Sequence, residues 1–490
     1  MRCYGECFSR ISKTSSIIIC NESESTLTND SIGIRCVKEC DYTEFYDSGM
    51  FCRQRDTLVK KIENIIDGAK KPAAIVCHNL NLGKNPALSS AVSEIARRLA
   101  SETVRFFWVI HDFAEEGRLT QLDNIRRVKA FSDSIWDDLY AKGAFVQYVV
   151  PGKKAFTLLE KAKFPVFELP NPVECDMPVN AERFQNGIDL RIEDIVRREG
   201  GEWYPAKRTG YYSSRMIYRK NYLEAILFVC ILLEENLVTG LPGNSCGDIE
   251  RLKRYRDFVS NYKLPVFFDA SRLCSDDKKS PVSLLYTFAD YGVSTSVAEG
   301  FGYSLFEPWL YGRSLIGRVP DSFMYPEGVD SRSMYSRLPI PAQWVDTAGV
   351  IRNYCKTIAR YTGKNISDKD AAETLLAEGT IDFGIIPEQE QYAVLFRLLE
   401  NKDSKDSLIR LLDEPTVGWP GMDIITKIDD TVINQNRICL RNMLSVKKFE
   451  KQFKRCFMEN IPKPAEINIS ELAAELLGSG IRLLLLPSES

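Results

Sequence analysis

Twice along this chain, short runs of β-branched and aromatic residues alternate with longer segments whose apolar residues recur every three or four positions. In the first half the strand patterns are Ala73-Ala74-Ile75-Val76-Cys77, Val104-Arg105-Phe106-Phe107-Trp108-Val109-Ile110 and Phe145-Val146-Gln147-Tyr148-Val149-Val150. A helix is predicted near 56–68, and another carries Leu88, Val92, Ile95 and Leu99 on one face. The alternation returns with strands near 211–217, at Leu264-Pro265-Val266-Phe267-Phe268, at 293–297 and at Ser314-Leu315-Ile316-Gly317, separated by helical patterns at 221–235, 249–262 and 281–290. Strands apolar at nearly every position must be covered on both faces, and helical crossovers make them parallel neighbours. A length of 490 residues exceeds one ordinary core. The pattern therefore predicts an α/β protein with two doubly wound sheets.

Phe164-Pro165-Val166-Phe167-Glu168-Leu169-Pro170-Asn171-Pro172 reads as a strand closing in a proline-rich turn, which puts a domain boundary near 172. The polar stretch 176–208 is expected to be irregular. Residues 1–55 are polar and cysteine-rich, with one apolar run, Ile17-Ile18-Ile19, and suggest no role. Prolines, serines and aromatics over 322–345 predict a long loop over the crevice between the domains. A helix with Phe449, Phe453 and Phe457 follows Asn436-Arg437, and the last thirty residues read as an appendage. The expected domains are 1–172, 173–440, and a closing segment 441–490 returning to the first.

With 44% hydrophobic and 27% charged residues the chain is a folded protein, and a net charge of −3 gives no reason to expect nucleic acid or an anionic membrane as partner. The fourteen cysteines are scattered, and Met1 to Glu6 lacks an apolar signal core, so a reducing cytoplasm and mostly buried thiols are expected. Cys3, Cys7, Cys20, Cys36, Cys40 and Cys52 crowd the start without paired C-x-x-C spacing, so a zinc module is the lesser reading there. No apolar run reaches the ~18 residues that span a bilayer. The longest, Leu223 to Leu233, contains Glu224 and reads as a buried helix.

Chemistry concentrates in Ser294-Thr295-Ser296-Val297-Ala298-Glu299-Gly300-Phe301-Gly302-Tyr303-Ser304-Leu305-Phe306-Glu307-Pro308, which reads as strand, glycine turn and helix. Pro308 sets the helix start near Ser304, since proline is tolerated near a first turn. An uncapped helix start reached through glycines can hold a phosphate, and Glu299 and Glu307 bracket it. Alternatively, Ser304-Leu305-Phe306-Glu307 is a capping box, in which Glu307 serves its own helix.

Both histidines of the chain, His78 before Asn79 and His111 before Asp112-Phe113, follow predicted strands, at the edge where open parallel sheets bind ligands. Arg118 either meets an anionic ligand or is a solvated loop residue. Arg215 and Lys220 sit where a strand of the second half gives way to a helix, positioned to hold a pyrophosphate; Arg219 and Lys220 otherwise read as solvated helix-start residues. Asp368-Lys369-Asp370 after Ser367 reads as a helix start, not a metal site.

Taken in order, these signals resemble the retaining GT-B glycosyltransferases, glycosyltransferase family 4, over about residues 73–458. Glu299 and Glu307 match its E-x7-E, Arg215 and Lys220 its diphosphate-binding pair, Leu169-Pro170-Asn171-Pro172-Val173 its interdomain segment, and His111-Asp112-Phe113 its H-D-F. The resemblance implies two Rossmann-like domains facing a central crevice, and a hexosyl transfer from a nucleoside diphosphate sugar to a small polar or phosphorylated acceptor, with no cofactor and no metal. It implies catalytic roles for His111, Arg215, Lys220 and Glu299, donor binding by Gly300, Phe301, Gly302, Tyr303, Ser304 and Glu307, and an acceptor side at His78, Asn79 and Arg118. The family's N-terminal G-G loop has no counterpart in residues 1–55, and 44 residues separate Asn171 from Arg215. A disaccharide phosphorylase of the same fold and a non-catalytic nucleotide-sugar-binding subunit are the alternatives.

Overall fold

The computed structural model describes residues 7–8, 16–20, 32–173, 181–273, 281–417, 419–427, 429–459 and 466–480. They form two units, one of residues up to 172 together with 446–480, the other of 173–445. Cys3 and the first six residues lie outside the described part.

In the first unit β1 (Ser16–Cys20) and β2 (Ile32–Cys36) make a parallel pair. Helix α1 (Ser48–Asp67) starts eight residues before the predicted position, because Asp47 accepts the Met50 N–H and caps it. Then follow β3 (Ala73–His78), α2 (Pro86–Leu99), β4 (Val104–Val109), α3 (Leu119–Lys129), β5 (Val146–Val150), α4 (Lys153–Lys161) and β6 (Val166–Glu168). The strands pair in parallel in the order β3-β4-β5-β6. Alternation along β4 sends Phe107 and Val109 to one face, where Phe449, Phe453 and Phe457 of the late helical segment cover them. That segment is an α-helix, Val446–Lys454, with a π-helical turn, Arg455–Glu459.

The second unit opens with α5 (Ala181–Arg198), a helix inside the stretch predicted to be irregular. Its charge hid the apolar stripe of Ile192 and Val196, which packs against Trp203, Tyr211 and Tyr286. The unit continues as β7 (Thr209–Tyr212), α6 (Tyr222–Ala225) widening into a π-helix (Ile226–Leu232), β8 (Asn236–Thr239), α7 (Cys246–Asn261), β9 (Val266–Phe267), α8 (Pro281–Phe288), β10 (Tyr291–Ser294), α9 (Tyr303–Leu310), β11 (Ser314–Arg318) and β12 (Met334–Tyr335). These strands form one parallel sheet in the order β12-β11-β10-β7-β8-β9. The winding direction reverses between β7 and β10, so the topological switch point lies there. Strand β8 was not predicted, since Asn236-Leu237-Val238-Thr239 is too short to show a period.

The predicted loop over 322–345 contains β12 and also β13 (Pro339–Pro341), which joins β14 (Leu376–Ala377) and β15 (Thr380–Asp382) in a small antiparallel sheet. Ser367 and Asp370 form a reciprocal capping box at the start of Asp368–Leu375, as the helix-start reading expected. The described cysteines are free thiols, but only Cys7, Cys77, Cys230 and Cys456 are buried. Cys20 and Cys36 face each other across β1 and β2, a pair left partly open to solvent, so the expectation of mostly buried thiols is corrected. Among the described residues no helix is long and apolar enough to cross a membrane.

Candidate functional site

The carboxyl ends of β7 and β10 adjoin at the switch point, and the chain leaving each strand supplies the candidate donor residues. From β10 the backbone runs through buried Thr295 and Ser296 to Glu299, Gly300 and Phe301, then enters α9 at Gly302. Gly302 has φ 76°, and a Cβ there would lie 3.1 Å from Phe323 and Leu305, so this left-handed helix start suits glycine. The helix begins at Tyr303, one residue from the predicted start, and has no side-chain cap. Pro308 lies in its interior instead of its first turn. It fits because Gly292 on β10 leaves space: a Cβ at Gly292 would be 2.3 Å from the Pro308 ring.

The capping-box reading does not hold. Ser304 is buried inside α9, and Glu307 turns across to β7, where its Oε2 accepts a hydrogen bond from Ser213 Oγ at 3.2 Å. Tyr286 in turn donates to Ser213 Oγ at 3.0 Å. Burial raises the Glu307 carboxyl above its ordinary range, against the opposing Ser213 bond and the charge of Lys220. Phe301 is buried against Phe306, with ring centroids 5.2 Å apart, while Tyr303 packs edge-on to Phe301 and stays 45% exposed.

After β7 the chain passes Ser213 and Ser214 to Arg215, whose side chain is exposed, then through a 3-10 turn, Tyr218–Lys220. Lys220 is not a solvated helix-start residue. It is 7% exposed and its Nζ is ion-paired with Glu299, itself 6% exposed. Arg219 joins them, with its guanidinium 3.5 Å from Glu299 Oε2 and donating to the Ala298 carbonyl. Burial alone would raise the Glu299 carboxyl; Lys220 first and Arg219 second outweigh it and hold the group below its ordinary value. Backbone contacts fix the two loops together: Thr295 Oγ1 donates to the carbonyls of Lys220 and Asn221 at 3.1 and 3.0 Å, and Tyr212 Oη to that of Lys220 at 2.9 Å. Arg219 is the member that the motif spacing passed over.

In the first unit His78 ends β3 and His111 lies just past β4, so parallel pairing sets them side by side. His78 Nδ1 and His111 Nε2 are 3.2 Å apart, and the rings stack with centroids at 5.5 Å. Burial depresses both imidazoles, His78 to about 3. Two neutral rings supply the one donor and one acceptor that this contact needs. Asn79, at φ 57°, accepts the His111 backbone N–H at 2.8 Å. Arg118 is held by Asp112 at 2.6 Å, which corrects the solvated-loop alternative. Glu115 and Glu116, which no motif singled out, are raised by burial to about 7 and about 8 at the same edge.

No protein-family model matches the sequence. A curated relative, mannosylglucosyl-3-phosphoglycerate synthase of Petrotoga mobilis, is 26% identical over 320 residues, 64% of this chain. The match spans 60% of that relative's own length. Among solved structures, sucrose-phosphate synthase from Thermosynechococcus elongatus superposes with a TM-score of 0.54 at 11% identity, covering 93% of this chain and 91% of that one. The chain resembles the GT-B glycosyltransferases. The structural likeness carries the fold alone. The candidate site rests on the residues at the switch point, where Lys220 and Arg219, Glu299 and Glu307 and an uncapped helix start lie at one sheet edge. Such an arrangement can hold a diphosphate and, beside it, hydroxyl groups.

Proposed function

We propose that the chain is a retaining, metal-independent glycosyltransferase that moves a hexosyl group from a nucleoside diphosphate sugar to a small phosphorylated acceptor. The observation that carries this reading is the buried Lys220–Glu299 pair, with the half-buried Arg219 beside it, at the switch point of the second sheet. Burying such a pair is costly, and a site that must meet a diphosphate gives the cations a use. The relative, named for a glycosylated 3-phosphoglycerate, supports a phosphorylated three-carbon acid or its glycoside as the acceptor class.

In the reaction Lys220, Arg215 and the first turn of α9 hold the pyrophosphate, and Glu307 accepts from the ribose hydroxyls. Cleavage of the glycosidic bond builds negative charge on the leaving diphosphate. Fixed cations and backbone dipoles stabilise that charge without reorganising, an effect worth roughly 3–4 kcal/mol per group. Glu299 orients Lys220 and accepts from sugar hydroxyls, and His111 is the residue of the first unit to which a catalytic role is assigned. Substitution on the same face, through an ion-pair-like state, retains the anomeric configuration without a protein nucleophile.

The test is a thermal-shift panel of UDP-, GDP- and ADP-sugars, followed by turnover of the stabilising donor with 3-phosphoglycerate and its glucoside. Product with retained configuration by proton NMR, formed at the same rate with a chelator present, supports the reading. Disaccharide cleavage dependent on inorganic phosphate, with no response to any nucleotide sugar, identifies a phosphorylase instead. Donor binding without transfer identifies a regulatory subunit.

A further inference from the structure

Behind the Lys220 loop lies a buried polar network that the donor-site reading does not use. Asn221, directly after Lys220, is buried at φ 49°, and its Nδ2 donates to Glu224 Oε2 at 2.6 Å. Glu224, wholly buried, also accepts from Arg318 Nε and Nη2, both at 2.8 Å, and from Tyr335 Oη at 3.0 Å. Arg318, at the end of β11, makes a second two-pronged contact: Nη1 to Asp382 Oδ2 at 2.9 Å and Nη2 to Asp382 Oδ1 at 2.6 Å. Asp382 is itself fixed by the backbone N–H groups of Leu338 and Gly384, at 3.0 and 3.1 Å. A Cβ on Gly384 would lie 2.5 Å from Arg318 Nη2, so the guanidinium is also sterically enclosed.

We propose that this network, Asn221–Glu224–Arg318–Asp382, is a positioning device that fixes the Lys220 ammonium for diphosphate binding; the inference rests on the donor-site reading. An ion triad this deep adds little net stability compared with apolar packing, because desolvation offsets its attraction. Its geometric specificity is what a close ammonium contact requires. The forks of Arg318 set Glu224 in both position and rotation. Glu224 sets Asn221, and Asn221 holds the left-handed turn that presents Lys220. The carbonyls of Lys220 and Asn221 accept from Thr295, so the same turn is tied to the chain leading to Glu299. Network and site therefore share one rigid corner, and a displacement of the order of 1 Å at such a corner can cost about 100-fold in function.

Asn221→Gly provides the test, because glycine accepts the left-handed turn while removing the Asn221 side-chain link to Glu224. Full-length wild type, Asn221→Gly, Arg318→Lys and Arg318→Met are compared for UDP, GDP and ADP binding by calorimetry, for thermal midpoint, and for KM against kcat. Asn221→Gly is expected to keep a wild-type-like midpoint and lose about tenfold in nucleotide affinity, with KM for the donor rising more than kcat falls. Arg318→Lys, keeping the charge but not the fork, is expected to recover part of the affinity that Arg318→Met loses. Wild-type affinity in Asn221→Gly overturns the positioning role while the donor site stands. Failure of wild type to bind any of the three nucleotides overturns the donor site itself. Should the Arg318 variants not fold, Asn221→Gly alone decides.

Discussion

At the scale of single residues, Lys220 and Arg215 match one motif yet sit in different surroundings, and their substitutions separate binding from stability. Lys220→Ala leaves the buried Glu299 carboxylate with only Arg219, at 3.5 Å, as its charged partner. Breaking a buried pair from one side costs about 3–5 kcal/mol when nothing compensates, so a loss of roughly 2–4 kcal/mol is expected with Arg219 present. The pH dependence has a definite sign. In wild type the Glu299 carboxyl is held low, so its contribution is present above the unfolded carboxylate value and is lost as pH falls through its lowered folded value. In Lys220→Ala the carboxyl rises, so the variant recovers relative to wild type as pH falls through its own higher folded value towards the lowered wild-type one. Arg215→Ala removes an exposed side chain and should change stability by less than about 0.5 kcal/mol, while sugar transfer collapses. Denaturant titrations at pH 7 and pH 4 with turnover assays check both, and undiminished turnover in Arg215→Ala would remove its diphosphate role.

At the scale of elements, the seating of α9 on β10 decides where its N-terminus points. Gly292→Ala puts a methyl 2.3 Å from Pro308 Cγ, and neither a strand backbone nor a proline ring can give way by rotation. Overpacking of this kind costs typically 1–3 kcal/mol. The helix should also shift and nucleotide affinity fall. Adding Pro308→Ala should restore most of both; a double variant no better than the sum of the singles would show that the contact is not the cause. The paired strand ends of β3 and β4 make a different prediction. His78 is depressed to about 3, so the unfolded chain takes up a proton below about pH 6.5 that the folded one refuses. Stability is therefore lost as pH falls, by roughly 2 kcal/mol from His78 at pH 5. Glu115 and Glu116, raised by burial, pull the other way, so the informative quantity is the difference between wild type and His78→Gln. The variant should lose less stability between pH 7 and pH 5, and an equal loss would contradict the half-buried neutral pair.

The strands and the glycine turn were legible because their signals are local: β-branched runs for β3 to β5, and a left-handed position that needs Gly302. What was illegible depends on partners distant in sequence. The stripe of α5 was masked by charge, and β8 makes sense only between β7 and β9. Serine at 304 and glutamate at 307 satisfy a capping pattern that Ser213, ninety-odd positions upstream, overrides. Arg219 reads as one more charge beside Lys220 until Glu299 is brought against both.

At the scale of the whole molecule, the groups proposed to hold the nucleotide all lie in the second unit, and the paired histidines in the first. Binding of a bare nucleoside diphosphate and transfer of the sugar should therefore respond to different substitutions. His111→Asn in the full-length protein is expected to leave nucleoside diphosphate affinity within about twofold, because the groups proposed to hold the diphosphate all lie on the second unit, while transfer falls by about 100-fold, as expected where a group with the proposed catalytic role is lost. Lys220→Ala should do the reverse to the ligand-induced stabilisation. At 100 times its dissociation constant a nucleotide stabilises its binding state by about 2.7 kcal/mol; this increment should persist in His111→Asn and vanish in Lys220→Ala measured at the same nucleotide concentration. If the two units melt in separate transitions, only the one that contains β7 to β12 should move. A His111→Asn protein that no longer binds the nucleotide, or that transfers sugar at the wild-type rate, would show that the division of labour between the units is drawn in the wrong place.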